Sequence, residues 1–344
     1  CMLTSGAQNE GYKNKNMTEY ISLREKLVKI SRETGMPIKK LSDFLFILRD
    51  GKSIENNYLV QKIGISKNAL NQSKKLLSFL LKPPSNITQL RQEKVKETGA
   101  FFETGYQLEE TLWSFLENKN YEKSIDLLKK YRDRRPTPDR KYDQFTATAE
   151  TTARRVSLLD FFEDISCKRL LFLGDDDFTS IAVANLRKAA NVTVLDIDNR
   201  ILDAVNIISK IEKLNIETNY YDTRKPLPKR HEGKFDVVFT DPPYTPDGIK
   251  LFVSRSIQAL DRSNNEARIY VCYGNSDRAK ERFLPIYKAF TDLGLMVRWV
   301  LDKFNRYQGA ESIGSSSSLF ILDLASKTKP AILGEYAKPI YTNN

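Results

Sequence analysis

Histidine and cysteine are the scarcest chemistry in this sequence, and each shortage excludes a class of site. A single histidine, His231, in 344 residues leaves no imidazole pair for a histidine-rich metal centre, and nothing around it marks a Ser-His-Asp triad. Cys1, Cys167 and Cys272 stand too far apart for a C-x-x-C element, which removes zinc ribbons and disulfide frameworks. No apolar run approaches the ~20 residues of a membrane span, and no signal-peptide pattern opens the chain. The expectation is a soluble cytoplasmic protein with no metal site and no membrane association. Any catalysis must run on carboxylates, hydroxyls or the backbone.

What is present is enough apolar sequence for a large core, 40% hydrophobic residues against 29% charged. The net charge of +11 is unevenly placed. Residues 1–140 hold 26 Lys+Arg against 17 Asp+Glu, whereas 141–344 hold 29 against 27. The basic surplus therefore belongs to the N-terminal part. A solvated, lysine-rich helical surface explains it better than a nucleic-acid partner.

Residues 1–16 are polar and aperiodic and read as a flexible leader, with Met17 as the expected natural start. Helical spacing begins after Tyr20, at Ile21, Leu23, Leu27 and Ile30. Further on, Leu59, Val60 and Ile63 precede Gly64, Ser66 sits at an N-cap position, and Ala69, Leu70, Leu76 and Leu77 follow. That order predicts helix, glycine turn and helix within a small winged-helix-like N-terminal domain over 17–132. Such units bind DNA in some proteins and serve as dimerisation or lid domains in others, and a structural role is the expected one. Pro136 and Pro138 break the helical pattern, so 133–155 reads as a linker and an approach to the active site.

Beyond it, apolar runs alternate with helical ones. Strands are expected at 169–173, 192–196, 235–240, 268–273, 296–301 and 319–324, and helices at 178–190, 199–214, 247–260 and 277–293. The alternation specifies an α/β domain over 156–326 of the class I methyltransferase-like Rossmann type, a mostly parallel seven-stranded sheet with an antiparallel edge. A loop at 302–318 joins the last two strands, and 327–344 reads as a flexible tail.

Ligands of such sheets gather at the carboxyl ends of the strands. The first strand ends in Leu173-Gly174-Asp175-Asp176-Asp177-Phe178, one glycine and three acids where a phosphate cradle has several glycines. Three carboxylates repel a pyrophosphate, and one suffices to cap a helix. The cluster therefore predicts a site for positive charge: a sulfonium, an ammonium or both. The second strand ends in Asp196, the expected acceptor for ribose hydroxyls, with Asp198 starting the next helix. Asp222 falls where an adenine amino group is met. The strand at 235–240 leads into Asp241-Pro242-Pro243-Tyr244-Thr245. Prolines leave carbonyls without local amide partners, so these and the carboxylate can accept hydrogen bonds from an amine while Tyr244 faces a cation. Nitrogen alkylation is the stronger reading than a structural turn.

Together, Gly174-Asp175-Asp176-Asp177 and Asp241-Pro242-Pro243-Tyr244-Thr245 resemble the branched-chain polyamine synthases, the N4-bis(aminopropyl)spermidine synthases. The segment from Tyr142 to Arg155 is similar to that family's entry segment, and the resemblance covers 130–324. It implies transfer of 3-aminopropyl groups to the secondary amine of spermidine, with release of methylthioadenosine. Decarboxylated S-adenosylmethionine would be the co-substrate, no cofactor would be tightly bound, and the protein would be a homodimer. It also implies roles. Asp176 or Asp177 is the base or amine orienter, and Asp241 with the Pro242 carbonyl holds the attacking nitrogen. Gly174, Asp175, Asp196 and Asp222 serve the nucleoside side, Tyr244 walls the amine channel, and Gln144 and Glu150 of the entry segment contact substrate.

Two rival readings share parts of this pattern. S-adenosylmethionine-dependent amino-methyltransferases of DNA or RNA share Asp-Pro-Pro-Tyr, but an acid triplet meets phosphates badly. A non-enzymatic DNA-binding regulator with a ligand-sensing Rossmann domain has no need of an intact Asp241 to Tyr244.

Overall fold

The computed structural model describes residues 38–102, 116–162, 164–264, 266–274, 283–310 and 315–342, with isolated positions from 23 to 36 and at 106, 108 and 281. The expected leader at 1–16 lies outside the described residues. Two compact units are present, the smaller within 23–108 and the larger within 116–310 and 316–342.

The smaller unit contains α1 (Ile38–Leu48), β1 (Ile54–Glu55), α2 (Asn56–Ile63), α3 (Lys67–Leu76), β2 (Ile87–Thr88) and α4 (Gln92–Ala100). Gly64 ends α2 at φ 68, a left-handed conformation that favours glycine, and its N–H donates to the Val60 carbonyl. Ser66 caps α3 by accepting from Ala69 N at 3.1 Å. Helix, glycine turn and capped helix thus stand where the sequence places them. Phe44, Leu45, Leu59, Val60 and Leu70 close a separate core, and β1 pairs antiparallel with β2.

The larger unit begins with α5 (Lys119–Lys130), β3 (Thr146–Ala147) and α6 (Ala149–Phe161). It continues through β4 (Arg169–Leu173), α7 (Thr179–Asn185), β5 (Asn191–Asp196), α8 (Asn199–Glu212), β6 (Ile216–Tyr220) and β7 (Val237–Thr240). It ends with α9 (Pro246–Ala259), β8 (Arg268–Gly274), α10 (Leu284–Asp292), β9 (Leu295–Gln308) and β10 (Ser316–Leu324). Its eight strands form one sheet in the order β3-β9-β10-β8-β7-β4-β5-β6. β4 to β8 run parallel, and β10 is antiparallel to β8 and β9. Successive side chains leave a strand on opposite faces. Leu170 and Phe172 accordingly pack with Leu158, Ile181 and Val205 of α6, α7 and α8, whereas Leu171 and Leu173 pack with Ile249, Val253 and Phe290 of α9 and α10. Both faces are covered, which is why these strands read as unbroken apolar runs.

The α/β Rossmann-like architecture is as expected, with differences that have physical reasons. The eighth strand is β3, two residues of the entry segment that pair with Tyr307 and Gln308, too short to carry a pattern. β6, Ile-Glu-Thr-Asn-Tyr, lies at the sheet edge with mixed burial and has no apolar run to announce it. β9 and β10 extend into the expected loop at 302–318, leaving only 309–315 between them. Leu127 and Tyr131, on α5 and just after it, enter the core of the larger unit, which therefore starts upstream of the expected boundary at 132. The segment 327–342, expected as a flexible tail, is packed: Ile340 and Tyr341 are buried, and Arg255 donates to the carbonyls of Ile332, Leu333 and Gly334. The last expected helix, 277–293, is seen as α10, with 275–280 outside the described residues. No described helix is long and apolar enough to cross a membrane.

Phe172 is fully buried in β4 and packs against Phe239, with ring centroids 6.0 Å apart. Phe172→Ala is expected to destabilise the larger unit by about 3–5 kcal/mol, measured as a lower urea midpoint at unchanged slope.

Candidate active site

β4 and β7 are parallel neighbours, and the order of strands reverses between them, so their carboxyl ends open a crevice. The cleft there is lined by Gly174, Asp176, Asp196, Asp241, Pro242, Pro243 and Tyr244. Residues 142–145 of the entry segment, Phe252, Tyr307 and Tyr341 complete it.

Gly174 leaves β4 at φ 78, and a Cβ there would meet nothing within 4 Å. Its backbone angle, rather than crowding, calls for glycine. The turn then sends its three acids in three directions. Asp175 folds inward, where its carboxylate accepts from Ser180 N at 3.1 Å and Ser180 Oγ at 2.5 Å, while its N–H donates to Asp196 Oδ2 at 3.0 Å. Asp177 is buried and accepts from the Arg135 guanidinium, from Arg155 Nη1 at 2.7 Å and from Ala147 N at 2.8 Å. Asp176 alone of the three lines the cleft, and among the described residues its carboxylate accepts no hydrogen bond. Burial, and then the Asp177 charge beside it, push the Asp176 carboxyl well above the usual range against the pull of Arg135. Asp196 is raised to about 6 by burial, opposed by amide hydrogen bonds from Asp198 and Asp175.

After β7, Asp241 is held from several sides. Its Oδ2 accepts from Tyr307 OH at 2.6 Å and Arg155 Nη2 at 3.0 Å, and its Oδ1 accepts from Tyr244 OH at 3.3 Å. Burial raises its carboxyl, and the Arg155 charge opposes the rise. Thr245 caps α9 by accepting from Gly248 N at 2.9 Å, which fixes the end of the Asp-Pro-Pro-Tyr turn. Gly274 keeps the Tyr244 ring in place, because a Cβ at 274 would lie 2.9 Å from two of its carbons.

Sequence reasoning assigned no role to Arg155, Tyr307, Arg135 or Tyr341. Arg155 shares the buried side of α6 with Ala153, Val156 and Leu159, and a cation among apolar helical positions was its one visible signal. Arg135 belongs to the proline-broken stretch. It holds the acid turn by its backbone as well, donating from Nε to the Asp176 carbonyl at 2.6 Å.

Of the residues singled out in the sequence, Asp176, Asp196, Asp241, Gly174, Pro242, Tyr244 and Gln144 line one cleft. Four other residues are placed elsewhere. Asp177, expected as a candidate base or amine orienter, does not line the cleft, and two guanidinium groups and an amide occupy its oxygens. Asp175, expected at the nucleoside, does not line the cleft and accepts from Ser180. Asp222 is gripped bidentately by Arg224, with Nε at 3.0 Å and Nη2 at 2.8 Å, and does not line the cleft. Glu150 is exposed in the first turn of α6, where a negative charge favours the helix terminus. Gln144 bridges two groups beside the cleft, accepting from Asp139 N at 2.8 Å and donating to Asp198 Oδ2 at 3.2 Å. Among the described residues no group of three or more His, Cys, Asp or Glu is placed to hold a metal ion.

Burial raises Asp175 to about 8 in the folded chain. An unfolded Asp titrates near ~3.9, so the native state binds more protons across that interval and stability falls as pH rises through it. Asp175→Asn removes the titration and keeps an acceptor for Ser180. The variant is expected to raise Tm at pH 8 and to match the parent at pH 4. Equal shifts at both pH values would contradict the assignment.

Comparisons with known proteins show what the whole chain is similar to. An uncharacterised protein of Methanocaldococcus jannaschii is 40% identical over 220 residues, 63% of this chain and 54% of that protein. A protein of the same organism named N(4)-bis(aminopropyl)spermidine synthase is 32% identical over 190 residues, 55% of this chain and 54% of that protein. The chain thus matches about half the length of each of these relatives. The crystal structure of the Thermus thermophilus branched-chain polyamine synthase, in complex with N4-aminopropylspermidine and 5'-methylthioadenosine, has the same fold. Its TM-score is 0.65 at 22% identity, covering 93% of this chain and 98% of that one. The model of the branched-chain polyamine synthase A C-terminal domain matches residues 125–334, and the chain belongs to that family.

Proposed function

We propose that the chain is an aminopropyltransferase that moves 3-aminopropyl groups from decarboxylated S-adenosylmethionine to the secondary amine of spermidine. The products are N4-aminopropylspermidine, then N4-bis(aminopropyl)spermidine, with methylthioadenosine released each time. The observation that carries this reading is the cleft itself. Asp176, Asp196 and Asp241 line it together with Tyr244, Tyr307 and Tyr341, and the guanidiniums of Arg135 and Arg155 are committed to Asp177 and Asp241. The donor carries a sulfonium and an ammonium but no carboxylate, and the acceptor is a polycation. Uncompensated carboxylate beside aromatic faces suits both. The names of the relatives support the same substrates, and a cytoplasmic homodimer without a tightly bound cofactor belongs to this reading.

In this mechanism Asp196 accepts from ribose hydroxyls of the donor. Asp241 and the Pro242 carbonyl hold the acceptor nitrogen, whose ammonium form has a pKa near ~10 by analogy with lysine. Asp176 takes the proton, the freed lone pair attacks the methylene carbon next to sulfur, and the carbon–sulfur bond breaks in line. The leaving group departs neutral; the nitrogen becomes a tertiary ammonium after the first transfer and, deprotonated and alkylated again, a quaternary ammonium after the second.

The test is incubation with spermidine and either decarboxylated or ordinary S-adenosylmethionine, followed by mass spectrometry of the polyamine. An aminopropyl increment with the decarboxylated donor is expected, and Asp176→Asn should lower kcat by about 10²–10⁴-fold with the fold retained. Methyl gain on DNA or RNA, or an unchanged polyamine, would overturn the proposal.

A further inference from the structure

The guanidinium of Arg155 is fully buried, and four partners converge on it. Nε donates to Asn305 Oδ1 at 2.8 Å and Nη1 to Asp177 Oδ2 at 2.7 Å. Nη2 reaches Asp241 Oδ2 at 3.0 Å and Tyr307 OH at 3.2 Å. The cation also lies over the Phe239 ring, 5.2 Å from its centroid. The titratable and charged groups facing it are Asp177 from the turn after β4, Asp241 from the turn after β7, Cys272 from β8 and Tyr307 from β9. A buried cation needs a well-placed counter-charge, and Asp177 is one. Asp177 is in turn already paired with Arg135. The second counter-charge for the two guanidiniums is therefore Asp241, a carboxylate that lines the cleft.

We propose that Arg155 is a positioning residue: its planar fork ties Asp241 to the Asp177 turn, holding Asp241 in one rotamer and leaving proton exchange to Asp176. The chemistry fits each group. Asp241 Oδ2 is taken up by Arg155 and Tyr307, so Oδ1, with its one long contact at 3.3 Å from Tyr244, is the oxygen left for a substrate N–H. Asp176 has no such cation on its carboxylate among the described residues, and so it is the acid that can take up and release a proton. The fork geometry matters as much as the charge, because a lysine ammonium presents no rigid pair of parallel donors. Tyr307 backs the arrangement by donating to the same oxygen of Asp241 and sharing a hydrogen bond with Ser317 Oγ at 2.8 Å.

This inference rests on the aminopropyltransferase reading for its kinetic arm and on geometry alone for its spectroscopic arm. In the kinetic arm, Arg155→Gln is expected to lower kcat by about 10²-fold, the scale of a 1 Å misplacement, with a smaller change in KM for the donor. Asp241 then loses its cation, and the acid limb of the pH–rate profile should move up by about one unit or more. Arg155→Lys, which keeps the charge, should return the limb toward the parent position while kcat stays reduced. In the spectroscopic arm, the ¹³C-carboxyl signal of Asp241, assigned by its loss in Asp241→Asn, should titrate at higher pH in Arg155→Gln than in the parent. A folded Arg155→Gln variant whose pH limb and Asp241 titration both coincide with the parent's would overturn the proposal. Should that variant fail to fold, Arg155→Lys decides: full kcat there excludes the role of the fork. A parent protein with no aminopropyl transfer would remove the proposed reaction, and the Asp241 titration would still decide the role of Arg155.

Discussion

Carboxylates crowded at neighbouring strand tips in a buried crevice repel one another, and the guanidinium of Arg155 is what lets two of them coexist. It bonds Asp177 with one arm and Asp241 with the other, joining the tips of β4 and β7 through a residue of α6. Without that cation, burial and the Asp177 charge would both favour protonating Asp241. The arrangement also organises the entry segment. Asp177 Oδ1 accepts from Ala147 N–H and from Arg135, and Arg135 Nη1 donates to the Ala147 carbonyl at 2.8 Å. These contacts hold β3 where it pairs with Tyr307 and Gln308 of β9, and Tyr307 returns its hydroxyl to Asp241. The loop of interactions closes on itself. Breaking one buried pair leaves the partner charge unmatched, at a cost of about 3–5 kcal/mol, so the order of the cleft and the stability of the unit share one origin.

The charge balance shows what the cleft keeps for a ligand. Arg135 and Arg155 offset Asp177 and Asp241, which leaves Asp176 and Asp196 without a guanidinium partner. The segment 340–342 shapes the same space. Thr245 Oγ1 donates to the Ile340 carbonyl at 2.7 Å, Thr342 N donates to Asp143 at 2.9 Å, and the Tyr341 ring meets Tyr142 edge-on at 5.8 Å. The end of the described chain thereby connects the Asp-Pro-Pro-Tyr turn to the entry segment.

The parts of this picture that were legible in the sequence are those set by local periodicity. Apolar runs such as 169–173 and 192–196 become central parallel strands because both sheet faces are covered. Acids placed directly after them must then lie at the carboxyl ends, where Asp176, Asp196 and Asp241 are found. What stayed hidden depends on pairing at long range. Arg155 lies 22 residues from Asp177 and 86 from Asp241, so no spacing rule connects them. The triplet left Asp176 and Asp177 as alternative bases with Asp175 toward the nucleoside, yet hydrogen bonds from Ser180, Arg135 and Arg155 claim Asp175 and Asp177. Asp222 is a different case. Its partner Arg224 is two residues away, so a local ion pair was readable there in place of an adenine contact.

The overall charge of +11 and an acidic cleft are compatible because they act over different ranges. At physiological ionic strength the Debye length is about 8 Å, so lysines spread over a solvated surface contribute little to the potential inside a narrow crevice. Carboxylates lining that crevice are screened far less, because low-dielectric walls and fixed guanidiniums replace mobile ions around them. The region 141–344 is close to neutral in total, with 29 cations against 27 anions, and its selectivity must come from where the anions are placed. Partial neutralisation sharpens that placement. Had every acid been paired, the cleft would attract no cation. Had none been paired, repulsion would have protonated them and removed the attraction just as effectively.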